Sequence, residues 1–277
     1  MQDKIELIAS DVDGTLLFDY APALPPATLE IVERLLDRGI VFVPASGRAY
    51  DSLCNLFGTL VDRMPVIANN GTIAYYAGQV VFRSGMDRTL GDELIDAILA
   101  TGDCEVLVTG ALTSYTQPKS PSFPDFMRNT VGFDVTVVDD LKAIDEPYTK
   151  ISAYYPSRAV DEAFWVERFG SRCSIATAGF GWIDMMPTGT CKARALTAVI
   201  ELLGIAPRNI VAFGDARNDL EMLQMAGLSY AMQAGDPRAI EAADRTTADA
   251  AGELRRILKS ISLDEEAALR PQARPGR

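Results

Sequence analysis

Four aspartates stand in two short polar segments, each directly after an apolar run. Asp11 and Asp13 lie in Ser10-Asp11-Val12-Asp13-Gly14-Thr15-Leu16, and Asp215 and Asp219 in Gly214-Asp215-Ala216-Arg217-Asn218-Asp219. Carboxylates brought to one place repel: at ~4 Å two unit charges cost about 4 kcal/mol in a surface-like dielectric, so they do not all ionise unaided. A divalent cation resolves the conflict. An all-oxygen donor set without histidine or thiolate selects a hard ion, of which Mg2+ is the common one, and that ion keeps positions for water and a substrate phosphate. Lys192 and Arg48 are cations suited to holding an anionic substrate. Gly14 and Gly47 let backbone N–H groups approach a phosphate at a turn or helix start.

The chain contains no histidine. Serine–histidine triads and most zinc hydrolases are thereby excluded, and acid–base work falls to Asp, Glu, Lys, Cys or Tyr. An aspartate nucleophile is the simplest alternative, because it is ionised at neutral pH and needs no base to activate it. Asp13 can then serve as acid for a leaving oxygen and later as base for water.

These groups need a frame. Apolar runs at 5–10, 40–45, 66–68, 209–213 and 228–232 have the length and continuity of strands buried on both faces of a parallel sheet. Helical patterns lie between them: Leu29, Val32, Leu35 and Leu36 before Gly39; Leu196, Val199, Ile200 and Leu203 before Gly204; Leu220, Leu223 and Ala226 before Gly227. Asp236-Pro237 reads as a helix start. This alternation predicts a doubly wound α/β fold. In such a sheet the polar segments after each strand share one edge, where ligands bind, so Asp11 and Asp215 are expected to converge with Ser46-Gly47-Arg48 and Asn69-Asn70-Gly71. The middle, 84–184, reads differently: helices at 91–101 and 159–169, strands at 105–109, 133–138, 150–155, 172–176 and 182–186, and a hairpin turn at Ala178-Gly179-Phe180-Gly181. It predicts an α+β domain inserted into the α/β core, with a frayed tail at 264–277.

The 277 residues, 48% hydrophobic and 23% charged, are ordinary for a folded chain of one or two domains. A net charge of −12 disfavours nucleic acid and anionic membrane as partners. No apolar run reaches the length of a membrane span, no secretory leader is visible, and the four cysteines show no paired spacing, so a cytoplasmic protein is expected.

In their order, Asp11-Val12-Asp13-Gly14-Thr15-Leu16, Ser46-Gly47-Arg48, Lys192 and Gly214 through Asp219 resemble the motifs of the haloacid dehalogenase (HAD) superfamily. The insertion between the second and third motifs resembles the type IIB cap of its Cof-like subfamily. The resemblance covers about residues 5–262. It implies a Rossmann-like core in two parts, 1–84 and 185–263, with a cap at 85–184. It implies Asp11 as nucleophile forming an aspartyl-phosphate, and Asp13 as general acid/base that also offers its backbone carbonyl to Mg2+. It further implies Ser46 and Lys192 on phosphoryl oxygens, Asp215 as metal ligand, Asp219 supporting the metal, and Asn218 and Asn70 near the transferring group. The implied activity is a Mg2+-dependent phosphatase acting on a small phosphorylated metabolite such as a sugar phosphate. A phosphomutase using the same intermediate and a non-catalytic phosphometabolite-binding module stand as alternatives. The sequence departs from the family pattern at Cys191-Lys192-Ala193 and at Arg217, the latter expected to face solvent or to add a cation. Cys191 reads as a small buried helix residue, and Tyr154, Tyr155, Trp165 and Trp182 read as core packing rather than a specificity surface.

Overall fold

The computed structural model describes residues 4–18, 21–111, 113–131, 135–156, 161–177 and 181–269, with side chains as far as residue 261. From the start the order is β1 (Leu7–Ser10), α1 (Pro26–Asp37), β2 (Val41–Pro44), α2 (Tyr50–Phe57), β3 (Val66–Ala68), β4 (Ile73–Tyr76) and β5 (Gln79–Arg83). The middle holds α3 (Arg88–Ala100), β6 (Glu105–Thr109), β7 (Ser114–Thr116), α4 (Phe123–Phe126), β8 (Thr136–Val137), β9 (Lys150–Tyr154), α5 (Glu162–Phe169), β10 (Cys173–Thr177) and β11 (Trp182–Pro187). The chain closes with α6 (Lys192–Leu203), β12 (Ile210–Gly214), α7 (Leu220–Met225), β13 (Leu228–Met232), α8 (Pro237–Ala242), β14 (Arg245–Thr247) and α9 (Ala250–Leu269). It divides into two compact units, one of residues 1–42 with 208–277 and one of residues 43–207.

The first unit is built on a sheet of order β14-β13-β12-β1-β2, in which β1, β12, β13 and β14 pair in parallel. Leu7, Ile8, Ala9, Ala212 and Phe213 are fully buried, as continuous apolar strands covered on both faces must be. Helix α1 starts with a proline at its first position and gives way to Gly39 at φ +73, a conformation that suits glycine. Asp236 caps α8 by accepting from the Arg238 N–H at 2.9 Å, as the Asp-Pro pair predicts. Strand β14 escaped the sequence reading because Arg-Thr-Thr is a short, polar edge segment with two of its three residues exposed.

The second unit carries two antiparallel arrangements. Strand β3, expected as a member of the parallel sheet, instead forms a three-stranded sheet with β4 and β5; its parallel partner is the single bridge Ala45–Ile67. Once β4 turns back on it, β3 spends its hydrogen bonds on a hairpin meander. The β4–β5 turn is Ala77-Gly78, with φ +49 and +72, the pair of left-handed residues that a tight hairpin requires. Alanine is an uncommon choice there, so the turn signal was weak. The larger sheet, of order β10-β11-β9-β6-β7-β8, is mostly antiparallel. The strand expected over 133–138 is confined to Thr136–Val137, with 133 and 134 outside the described residues. Of the expected turn at 178–181, residues 178–180 also lie outside them, although β10 and β11 do pair as a hairpin.

Alternation gives this larger sheet two unlike faces. Val106, Val108, Ile151, Ala153, Ile183 and Met185 pack with Leu94 and Ile98 of α3 and Trp165 and Phe169 of α5. The Trp165 indole donates to the Tyr155 hydroxyl at 2.9 Å, and both are buried there as core residues. The other face presents Thr109, Lys150, Ser152, Tyr154, Trp182 and Asp184, in register across β6, β9 and β11.

Candidate active site

The carboxylates lie in the first unit. Strand β1 delivers Asp11 at its carboxyl end, where the Asp11 N–H donates to the Phe213 carbonyl at 2.9 Å and continues the ladder with β12. Strand β12 ends at Gly214 and releases Asp215. A side chain on Gly214 would lie 2.5 Å from the Asp219 Cβ, so only glycine lets the loop fold back this closely. Asp219 Oδ2 accepts the N–H groups of Asp215 and Ala216, each at 3.0 Å, which fixes the loop that presents Asp215. The result is one acidic group: carboxylate oxygens of Asp11, Asp215 and Asp219 lie within 4.8 Å of one another, with Asp11 and Asp219 buried. Gly14, at φ +89, leaves room for the Asp215 carboxylate, whose Oδ2 would be 2.3 Å from a Cβ at that position. Three crowded oxygen donors of this kind fit a hard divalent cation. The group of three does not include the Asp13 carboxylate, which sits two residues on in a turn closed by the Gly14 N–H donating to the Leu17 carbonyl at 2.8 Å.

The second unit gathers the remaining candidates apart from Asn218. The Ser46 carbonyl accepts from the Asn70 N–H and the Arg48 carbonyl from the Asn69 N–H, both at 2.9 Å, so the loops after β2 and β3 are stitched together. Ser46, 1% exposed, accepts the Arg48 N–H on its own hydroxyl at 3.1 Å, and the Arg48 guanidinium reaches the Ser52 hydroxyl at 3.3 Å. Gly47 has no Cβ because the Asn70 Oδ1 would stand 2.8 Å from it. Asn69, Asn70 and Gly71 follow one another at φ +50, +58 and +87, a left-handed run that costs a non-glycine residue about 1–2 kcal/mol. The run brings Gly71 against the start of α6: a Cβ there would be 2.3 Å from the Cys191 carbonyl oxygen and 2.9 Å from the Lys192 Cα. Lys192 opens α6 fully buried. A buried ammonium at the positive end of a helix is doubly disfavoured unless an anion answers it.

Several expectations are adjusted. Cys191 is not a buried helix residue but the half-buried cap of α6, and its side chain makes no capping bond. Arg217 is exposed and Asn218 half-buried in the loop before α7. Sequence reasoning missed Thr72, which like Asn69 has a buried side-chain oxygen with no hydrogen-bond partner among the described residues. It also missed the loop at Gly235-Asp236, where the Asp236 N–H donates to the Asp215 carbonyl at 2.7 Å and a Cβ on Gly235 would meet that same oxygen at 2.4 Å. The signal for the latter was available: a glycine three residues after the end of β13, a strand of the same sheet.

The comparisons agree with the geometry. A family profile of haloacid dehalogenase-like hydrolases matches residues 8–252. The chain is 27% identical, over 87% of its length and 89% of the relative's, to the 5-amino-6-(5-phospho-D-ribitylamino)uracil phosphatase YbjI of Escherichia coli. A solved chain from Eubacterium rectale is 29% identical with a TM-score of 0.80, covering 92% of this chain and 98% of that one. The HAD subclass IIB sugar phosphatase BT4131 shares the fold, with a TM-score of 0.73 at 19% identity over 94% of this chain and 99% of that one. A parallel-sheet core, an acidic group at its strand ends and a separate antiparallel sheet thus meet a matching profile over most of the sequence: the chain belongs to the haloacid dehalogenase-like hydrolase family, as an enzyme of its phosphatase kind.

Proposed function

We propose that the protein is a Mg2+-dependent phosphatase of the cytoplasm that hydrolyses a small phosphorylated metabolite through an aspartyl-phosphate on Asp11. The observation that carries this reading is the meeting of Asp11, Asp215 and Asp219 within 4.8 Å. Asp11, Asp215 and Asp219, with the Asp13 backbone carbonyl, would hold the metal. When bound, the ion would offset the carboxylate repulsion and draw charge from the phosphoryl oxygens. Asp11 attacks phosphorus, the bond to the leaving oxygen breaks, and Asp13 supplies that oxygen's proton. Asp13 then takes a proton from water as water attacks the aspartyl-phosphate, which frees Asp11 and inorganic phosphate. Ser46 and the Gly47 N–H hold phosphoryl oxygens, with Arg48, Asn70 and Asn218 beside the substrate. Lys192, buried at the start of α6, neutralises the transferring group.

The substrate class is supported by the relative that acts on a phosphorylated ribitylaminouracil. The cysteines Cys54, Cys104, Cys173 and Cys191 are all free thiols, which suits a reducing compartment. Among the described residues no helix is long and apolar enough to cross a membrane. The test is release of inorganic phosphate from a panel of metabolite phosphates with Mg2+ or with EDTA. Turnover is expected with Mg2+ alone, with a loss of at least about a thousandfold in Asp11→Asn while its circular dichroism spectrum stays unchanged. Near-normal activity of that variant would remove Asp11 as nucleophile, and an isomer appearing without free phosphate would make the enzyme a mutase.

A further inference from the structure

The loop that presents Asp215 also carries a cation that the reaction above does not employ. Arg217 lies between Asp215 and Asp219 and is exposed. Its backbone is held in place, because Asp219 Oδ2 accepts the N–H groups of Asp215 and Ala216 and the Asp219 N–H donates to the Ala216 carbonyl at 3.1 Å. The two flanking carboxylates turn inward: Asp215 lies against Gly14, and both Asp215 and Asp219 meet Asp11. Arg217 alone of the three is left to solvent. Two residues of chain and one arginine side chain span at most about 14 Å, so its charge stays within the length of a small metabolite from the acidic group.

A second loop at the same sheet edge adjoins it. After β13 the Asp236 N–H donates to the Asp215 carbonyl at 2.7 Å, which brings the Asp236 carboxylate into the field of Arg217. That carboxylate is already engaged. Its Oδ1 accepts the Arg238 backbone N–H at 2.9 Å and Nε–H at 3.0 Å, and its Oδ2 accepts from Arg238 Nη2 at 2.5 Å. Arg238, and after it Arg217, hold the Asp236 carboxyl down to about 2. At neutral pH two guanidiniums therefore act on one carboxylate, both of whose oxygens serve Arg238. A surplus positive charge remains beside the acidic group, in a chain whose net charge is −12. Exposed ion pairs contribute little to stability, so the fold gives no reason for this second cation. The carboxyl ends of parallel strands are where ligands bind, and a guanidinium is the side chain best shaped to grip a carboxylate or a phosphate.

We propose that Arg217 is a specificity-determining residue that binds a second anionic group, a carboxylate or a further phosphate, on the part of the substrate that leaves. This rests on the phosphatase reading. A leaving group with such an anion gains a fork of two N–H donors, whereas a neutral one leaves the exposed guanidinium in water at no cost. Arg217 thus selects by attraction rather than by exclusion.

The test measures kcat/KM with Mg2+ on two matched pairs, 6-phosphogluconate against sorbitol 6-phosphate and fructose 1,6-bisphosphate against fructose 6-phosphate. The first pair reports a carboxylate and the second a phosphate. The wild type is expected to favour the more anionic member of at least one pair by fivefold or more, and added salt should erode that preference. Arg217 is exposed, so its substitution does not threaten the fold. Arg217→Ala is expected to lose at least fivefold in kcat/KM on the favoured ester, chiefly through KM, while its less anionic counterpart changes less than twofold. Arg217→Lys, which keeps the charge but not the fork, should retain part of the preference. Equal losses on both members of the pair, or no loss on either, overturn the assignment, as does a wild type that favours neither anionic member. A wild type that releases phosphate from none of these esters or any other metabolite phosphate overturns the phosphatase reading instead, and this inference falls with it.

Discussion

Asp219 shows how one side chain can serve two ends. Its Oδ2 holds two backbone N–H groups, and the same carboxylate belongs to the acidic group. Removing a charged acceptor from two N–H groups costs about 1.5–3 kcal/mol for each bond, partly recovered where water reaches the loop. Asp219→Ala is therefore expected to lower stability in denaturant unfolding by about 2–4 kcal/mol, and Asp219→Asn, which keeps an oxygen acceptor, by less than about 1.5 kcal/mol. Both should weaken Mg2+ activation, measured as the metal concentration for half-maximal phosphate release. Equal destabilisation by the two would show that charge rather than hydrogen bonding holds the loop. Lys150 and Asp184, ion-paired at 3.0 Å on the polar face of the larger sheet, teach the complementary lesson about legibility. They stand 34 positions apart on different strands, and no local pattern announces them. Only the strand register sets them side by side. The motif aspartates were readable because each follows an apolar run whose end defines the sheet edge.

Among the elements, the contrast between two glycines isolates the role of the turn at Asn69-Asn70-Gly71. Gly71 and Gly204 both adopt left-handed backbone, at φ +87 and +69, but a Cβ at Gly204 would meet nothing within 4 Å whereas one at Gly71 would strike the Cys191 carbonyl. Gly204→Ala should cost about 1–2 kcal/mol in unfolding experiments and leave turnover unchanged. Gly71→Ala must in addition push back the first turn of α6, and with it Lys192. At least a tenfold loss of kcat/KM in phosphate-release assays is expected. Unaltered turnover in Gly71→Ala would show that α6 shifts without consequence for Lys192. The helices that apolar spacing and terminal glycines announced were legible to within a few residues, α6 ending at Leu203 just before Gly204 as read, whereas α2, α4 and α9 were not read. The strands of the second unit were harder. β7 is three residues long, β8 is two, and β3 forms a hairpin sheet for reasons that lie in β4 and β5 rather than in its own residues.

For the molecule as a whole, carboxylate crowding is expected to make stability depend on a divalent cation. Asp11, Asp215 and Asp219 repel one another in the folded state and far less in the extended chain. Thermal unfolding followed by circular dichroism should therefore show Mg2+ raising the midpoint by several degrees, since a ligand at a hundredfold excess over its dissociation constant contributes about 2.7 kcal/mol. In EDTA, Asp11→Asn should melt above the wild type because one repelling charge is gone. A variant that melts lower would mean that the Asp11 carboxylate is favourably solvated or bonded without metal. The acidic surplus that argued against nucleic acid is a property of the same scale, and it was legible from composition alone.

The parallel pairing of β1 with β12 matches Ser10 to Phe213, residues separated by some two hundred others. During synthesis Asp11 emerges early, while its companions at 215 and 219 leave the ribosome only after the whole second unit has been made. The intervening residues 43–207 can thus begin to fold before any three-carboxylate cage exists to capture an ion. Assembly of the cage follows synthesis of the second unit by construction, and a nascent polypeptide cannot bring the three carboxylates together until residue 219 has been made.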